Sequence, residues 1–168
     1  MTRNRFSQVV NFTAAAAVLS AVAAAAPAAH AGPDRACANP AVVTIRFRMI
    51  ERLTPSKGKI RIFGVVHNRG TKNFVSRWGQ QELHLYENSR LVKVKKFRRI
   101  NAGQSIRVSH ARTWNAAATR HAKGVPVYRA IIVYDPDIYM DSNPRNDDCV
   151  SGDNRLARNG REINRLFR

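Results

Sequence analysis

Apolar and polar residues alternate along most of the chain after residue 40. Val43, Ile45, Phe47 and Met49 alternate with Thr44, Arg46 and Arg48, the period of a strand with one buried face. Pro55-Ser56-Lys57-Gly58 interrupts the pattern as a turn. It resumes in Lys59–His67, with Ile60, Ile62 and Val66 on one face. Gly64 takes the intervening position on that face, where a bulge or a close backbone contact asks for glycine. Asn68-Arg69-Gly70 is the next turn. Leu83 and Leu85 then alternate with Glu82, His84 and Tyr86, and Asn88-Ser89 turns tightly into Leu91–Lys95. Residues 80–99 therefore read as a β-hairpin. Ile106, Val108, His110 and Trp114 share a face in 104–114, and 115–124 reads as a loop or short helical turn. Val127–Tyr134 is a continuous apolar run and reads as a central strand.

Short strands with turns between them, and no sustained helical period, predict an all-β fold: an antiparallel β-sandwich of about seven strands. Two sheets can each bury one face and leave Arg-rich faces in water. A hydrophobic content of 44% is enough for such a core, and an aromatic content of 8% leaves little for a ring-lined cofactor pocket, so no cofactor is expected.

The N-terminus follows another pattern. Arg3 and Arg5 precede an apolar run over 9–26, and Ala29-His30-Ala31 ends in small residues before Gly32. This reads as a signal peptide over residues 1–31, cleaved after Ala31, rather than as a membrane anchor. No later segment is long and apolar enough to span a bilayer. Export to the periplasm or beyond makes a disulfide the default state of Cys37 and Cys149, which sit at the two ends of the expected domain, residues 32–153. A basic tail, 154–168, follows.

Charge then narrows the choice of partner. The chain holds 29 Lys and Arg against 11 Asp and Glu, a formal net charge of +18. Lys93, Lys95, Lys96, Arg98 and Arg99 form a stripe around Phe97, a cluster that attracts phosphate and carboxylate polymers. Lysines on an edge strand also guard against aggregation. Arg155, Arg158, Arg161, Arg165 and Arg168 recur nearly every third residue in the tail. Leu156, Ile163, Leu166 and Phe167 would make an apolar stripe if that tail were helical, with Gly160 weakening the helix. Anionic lipid, lipopolysaccharide phosphates and acidic polysaccharide are the partners an exported basic protein meets; nucleic acid is not expected.

Asp135, Asp137, Asp141, Asp147, Asp148 and Asp153 hold six of the acids. Asp135, Asp137 and Asp141 are calcium candidates, but the spacing lacks a closing Glu, and turn capping is the favoured reading. His67, His84, His110 and His121 fall in separate segments, and Ser109 and His110 point to opposite faces of a strand. No catalytic constellation is visible, so no enzyme is expected. Trp114 reads as core, and Trp78 as either a binding aromatic or a rim residue.

VVHNRGTKNF, QELHLYEN, INAGQSIRV, Trp114, YRAIIVYDPD and DSNPRNDDC follow one another in an order that resembles bacterial cell-adhesion-related domains of the CARDB type. The resemblance covers about residues 42–148 and implies an immunoglobulin-like sandwich without catalytic residues. Together these readings predict an exported, non-enzymatic binding or adhesion module that attaches electrostatically to anionic envelope surfaces. The alternative is a protein-interaction module using a sheet edge or loop end, with charge serving only solubility.

Overall fold

The computed structural model describes residues 36–122 and 124–168; the expected signal peptide lies outside the described residues. The long strands are β1 (Pro40–Arg52), β2 (Lys57–Asn68), β4 (Gln81–Glu87), β5 (Arg90–Lys96), β7 (Ser105–Asn115), β8 (Val127–Tyr134) and β9 (Arg155–Asn159), with a short β3 (Phe74–Val75) and β6 (Arg99–Ile100). One sheet runs β1-β2-β7 and the other β5-β4-β8-β9, while β3 and β6 form a two-stranded ribbon. Every strand pair is antiparallel. Val127–Tyr134 is interior to its sheet, flanked by β4 and β9, as its apolar run predicts.

The inner faces meet in a core of Ile45, Ile60, Ile62, Val66, Val108 and Trp114 against Leu83, Leu85, Tyr128, Ala130 and Ile132, all buried. Each large apolar side chain there contributes about 1.5–3 kcal/mol. Gly64 is the close contact of its two expected roles. It pairs in register with Ile45, and a Cβ on it would stand 2.9 Å from Cβ of Ala130 across the interface. In β1 the alternation shifts phase. The register slips between Val42 and Thr44, so Val42 rather than Val43 is buried beside Ile45. Beyond that bulge the alternation is unbroken as far as Met49, and Thr44, Arg46 and Arg48 face outward.

Cys37 and Cys149 form the expected disulfide, with Cα atoms 6.2 Å apart. Beside it the Asn68 turn acts as a hub. The buried Asn68 side chain accepts from the Asn39 and Gly70 amides and donates to the carbonyls of Lys72 (2.8 Å) and Ile100 (2.9 Å).

The C-terminal segment departs from the expected tail. Arg155–Asn159 pairs with β8 as an edge strand, and Gly160–Phe167 is a 3-10 helix. In a 3-10 helix residues three apart share a face, so Ile163 and Leu166 pack inward while Glu162, Arg165 and Arg168 form an outer ridge. The Trp114 indole N–H donates to Asn164 Oδ1 at 2.9 Å. Gly160 is buried, with the Pro126 carbonyl 2.7 Å from where a Cβ would stand; it is a packing glycine, not a helix breaker. The segment 154–168, expected as a separate tail, therefore packs with the sheets in one compact unit.

Candidate anionic-surface site

The outer face of β1-β2-β7 is built from the polar phase of three amphipathic strands. Because opposed residues in an antiparallel pair share a face, the register groups them in rows. Thr44, Val65 and Arg107 form one row, Arg46, Phe63 and Ser109 the next, then Arg48, Arg61 and Ala111, then Glu51, Lys59 and Thr113. Lys57 opposite Asn115 extends the face. It thus presents Arg46, Arg48, Lys57, Lys59, Arg61 and Arg107, all exposed, against one acid, Glu51. None of these six forms an ion pair among the described residues. Arg48 and Arg61 stand directly opposite each other, an arrangement of like charges that destabilises a sheet. The Arg107 guanidinium lies over the Phe63 ring, 5.6 Å from its centroid, and keeps that charge against the sheet.

Arg48 and Arg61 line a groove of about 200 Å³ with Met49 and Ile50, and three more lead from this face toward the terminal helix. Arg46, Lys95 and Arg107 line one of about 510 Å³ over Val65 and Ser105. Arg46 also lines a second, of about 280 Å³, with Arg158, Glu162 and Arg165 at the β1 edge. Arg165 and Glu162 continue into a third, of about 490 Å³, with Arg120, Arg161 and Arg168.

The structure divides the expected 93–99 stripe. Lys93 and Lys95 are opposite the inward-facing Leu85 and Leu83, whereas Lys96 is opposite Glu82 on the other face of the edge strand. Lys95 reaches the groove beside Arg107, and Lys96 pairs with Glu82 at 3.6 Å. Phe97 is buried, 5.8 Å from Phe74, so it offers no surface for stacking. Arg98 is exposed beside the short ribbon strand that holds Arg99. In the terminal segment, Arg161, Arg165 and Arg168 converge on one groove. Arg155 does not line it: it projects from the edge strand opposite Ile131. Arg158 is structural: it donates to Glu162 at 2.6 Å and to the Ile45 carbonyl, and stacks over Phe47 at 5.3 Å. That pairing holds the Glu162 carboxyl below its usual range.

The acidic residues do not converge. Asp135 accepts from the Asp137 amide at 3.1 Å, and Asp141 accepts from the Asn143 amide, from Gln80 at 2.7 Å and from Asn146 at 2.8 Å. These bonds lower the Asp141 carboxyl and are turn capping, so Asp135, Asp137 and Asp141 are not gathered as calcium ligands. No group of three metal-ligating side chains occurs among the described residues. The histidines lie apart, with His121 exposed at the end of the short helix Ala116–Arg120. His67 bonds Ser105 on the basic face, and His84 sits between Glu82 (2.6 Å) and Tyr86 (3.2 Å) on the opposite sheet. His110 points between the sheets, where burial pulls its imidazole below the ordinary value. Trp78 is 67% exposed, and Tyr139 and Met140 are 54% and 75% exposed. Gln80, bonded to Asp141, ties the Trp78 turn to the loop carrying Met140.

Sequence inspection misses two features of the structure. Arg112 has an inward register position, where it pairs with Glu87 and lies 3.4 Å from the Tyr128 hydroxyl. The basic face is spread over three strands distant in sequence. Its signal is the polar phase of β1 and β2, which carries Arg46 and Arg48, and Lys57, Lys59 and Arg61, at successive alternate positions; β7 adds Arg107 alone.

The chain matches no protein-family model, including any for the CARDB type, and no curated protein matches it. A solution NMR structure of a "putative cell surface protein (272-376 domain)" from Methanosarcina acetivorans is similar over 73% of this chain and 90% of that one, at 13% identity and a TM-score of 0.42.

Proposed function

We propose that this protein is an exported, non-enzymatic binding module that attaches electrostatically to an anionic surface of the cell envelope. The observation that carries the reading is the β1-β2-β7 face: six exposed cations against one acid, with Arg48 set opposite Arg61. Folding alone gives no reason to place like charges face to face, whereas a polyanion relieves the repulsion and releases counterions as it binds. The cleavage pattern ending at Ala31 and the Cys37–Cys149 disulfide support an oxidising, exported setting. The sheet orders support an immunoglobulin-like assignment, since a three-stranded A-B-E sheet against C′-C-F-G would run β1-β2-β7 against β5-β4-β8-β9.

The test is co-sedimentation with anionic and neutral vesicles and with immobilised acidic polymer, over a salt series. With five net positive charges on the face, binding should fall about a hundredfold between 50 and 200 mM salt, using the single-strand counterion slope. An Arg48→Glu/Arg61→Glu variant should lose it. Salt-independent binding, or full binding by the variant, contradicts the proposal.

A second reading rests on the opposite kind of surface. Exposed Trp78, Tyr139 and Met140 at one loop end suit a protein contact, for which the charge would serve solubility. Binding there would survive high salt and be lost in Trp78→Ala.

A further inference from the structure

We infer that the ligand is a linear acidic polysaccharide, held along a continuous cationic track that runs from the terminal 3-10 helix, over the β1 edge and across the three-stranded sheet to the β7 edge. The inference rests on the anionic-surface reading above and names the ligand class. Its basis is that the three grooves share residues in sequence. Arg120 and Arg168 line the first, Arg165 joins the first to the second, Arg46 joins the second to the third, and Arg107 with Lys95 ends it. A single small anion needs one such groove; a chain of fixed charges uses all three. The one acid on the path, Glu162, is already neutralised by Arg158 at 2.6 Å.

The shape and chemistry of the track separate the classes of polyanion. A bilayer is flat, whereas the residues lining the track come from the terminal helix, from β1 and β7 of one sheet and from β5 of the other. The exposed apolar side chains Trp78 and Met140 line none of these three grooves, and Ile50, exposed beside Arg48 and Arg61, lies off the track. Single-stranded nucleic acid binds by stacking its bases on open aromatic faces. The aromatics beside this track, Phe47 and Phe63, are each covered by a guanidinium, Arg158 at 5.3 Å and Arg107 at 5.6 Å. What remains is a flexible chain bearing regular carboxylates, sulfates or phosphates and no bases. Arginine forks suit such groups, binding their oxygens in pairs.

The experiment is a length series. Alginate oligomers, from a disaccharide to a long chain, are titrated into the full chain at low salt, beside oligo(dT) of matched charge and anionic vesicles. Two exposed-residue variants probe the ends of the track: Arg120→Ala/Arg168→Ala and Lys95→Ala/Arg107→Ala, each checked for an unchanged far-UV spectrum and melting profile. Affinity should rise steeply with oligomer length as successive grooves are filled. Each end variant should weaken the long chain about fivefold to tenfold, the effect of losing two exposed charge contacts. Affinity independent of length, or sensitivity confined to one end, overturns the track. Tighter binding of oligo(dT) than of the long alginate overturns the polysaccharide assignment. Anionic vesicles binding in a salt-dependent way while alginate does not would sink this inference and leave the anionic-surface proposal standing. If vesicles, alginate and oligo(dT) all fail to bind, both fall.

Discussion

Replacing Arg48 by Glu should stabilise the fold and weaken the function together. Arg48 and Arg61 are directly opposite on the exposed face of β1 and β2, with Ala111 as the next residue across. No ion pair among the described residues offsets them. A directly opposed like-charge pair is unfavourable by a few tenths of a kcal/mol, and an opposite-charge pair is favourable by about 0.2–1 kcal/mol. Reversal at Arg48 removes the first and installs the second. Both side chains are exposed, so solvent and salt reduce the gain to about 0.5–1 kcal/mol at low ionic strength. For a domain of this size that raises Tm by about 2–5 °C. The assay is thermal unfolding by circular dichroism at low and high salt, run beside binding to an acidic polymer. The variant should melt higher than the parent at low salt, the difference should shrink at high salt, and binding should drop at least tenfold. A lower Tm at low salt would refute the reasoning, because it would mean that Arg48 is already favourably engaged in the free protein.

Other outcomes follow from the core. Gly64→Ala places a methyl 2.9 Å from Cβ of Ala130 and 3.2 Å from a Val108 methyl, so urea unfolding should show a loss of about 1–3 kcal/mol. Converting both Cys37 and Cys149 to Ala opens a bridge spanning 112 residues, and should cost about 4–5 kcal/mol in the chain-entropy account. His110 gives a pH dependence. Burial holds its folded pKa below the unfolded 6.5, with Arg112, Arg90 and Lys93 adding to the depression and Glu87 opposing it. As pH falls through 6.5 the unfolded chain takes up the proton first, so stability is complete above that pH and declines below it. Melting temperature should therefore fall between about pH 7 and 5, and His110→Gln should flatten that window. The lowered carboxyls of Glu82, Asp141 and Glu162 lose their contribution only at lower pH.

The strands were legible because alternation is a local property. Ile60, Ile62 and Val66, or Leu83 and Leu85, declare a buried face whatever they pack against. Phase was less so. A bulge at Val43 moves the buried position to Val42 without a signal in composition. Arginines spaced by three in the terminal segment match a helical face, but the backbone that realises them is a strand followed by a 3-10 helix, and only the availability of the β8 edge decides that. The basic stripe at 93–99 attracts notice because its charges are adjacent in sequence, yet alternation sends neighbouring charges to opposite faces. The face that gathers cations draws them from β1, β2 and β7, and their convergence depends on registers that sequence does not state.

The most direct measurement is retention of the full chain on an immobilised linear polyuronate over a salt gradient, parent beside Arg48→Glu/Arg61→Glu. The account predicts that the parent is held at low salt and eluted steeply as salt rises, while the folded variant passes through unretained. Equal retention of the two would contradict it, since the opposed Arg48 and Arg61, the observation that carries the reading, would then take no part in binding.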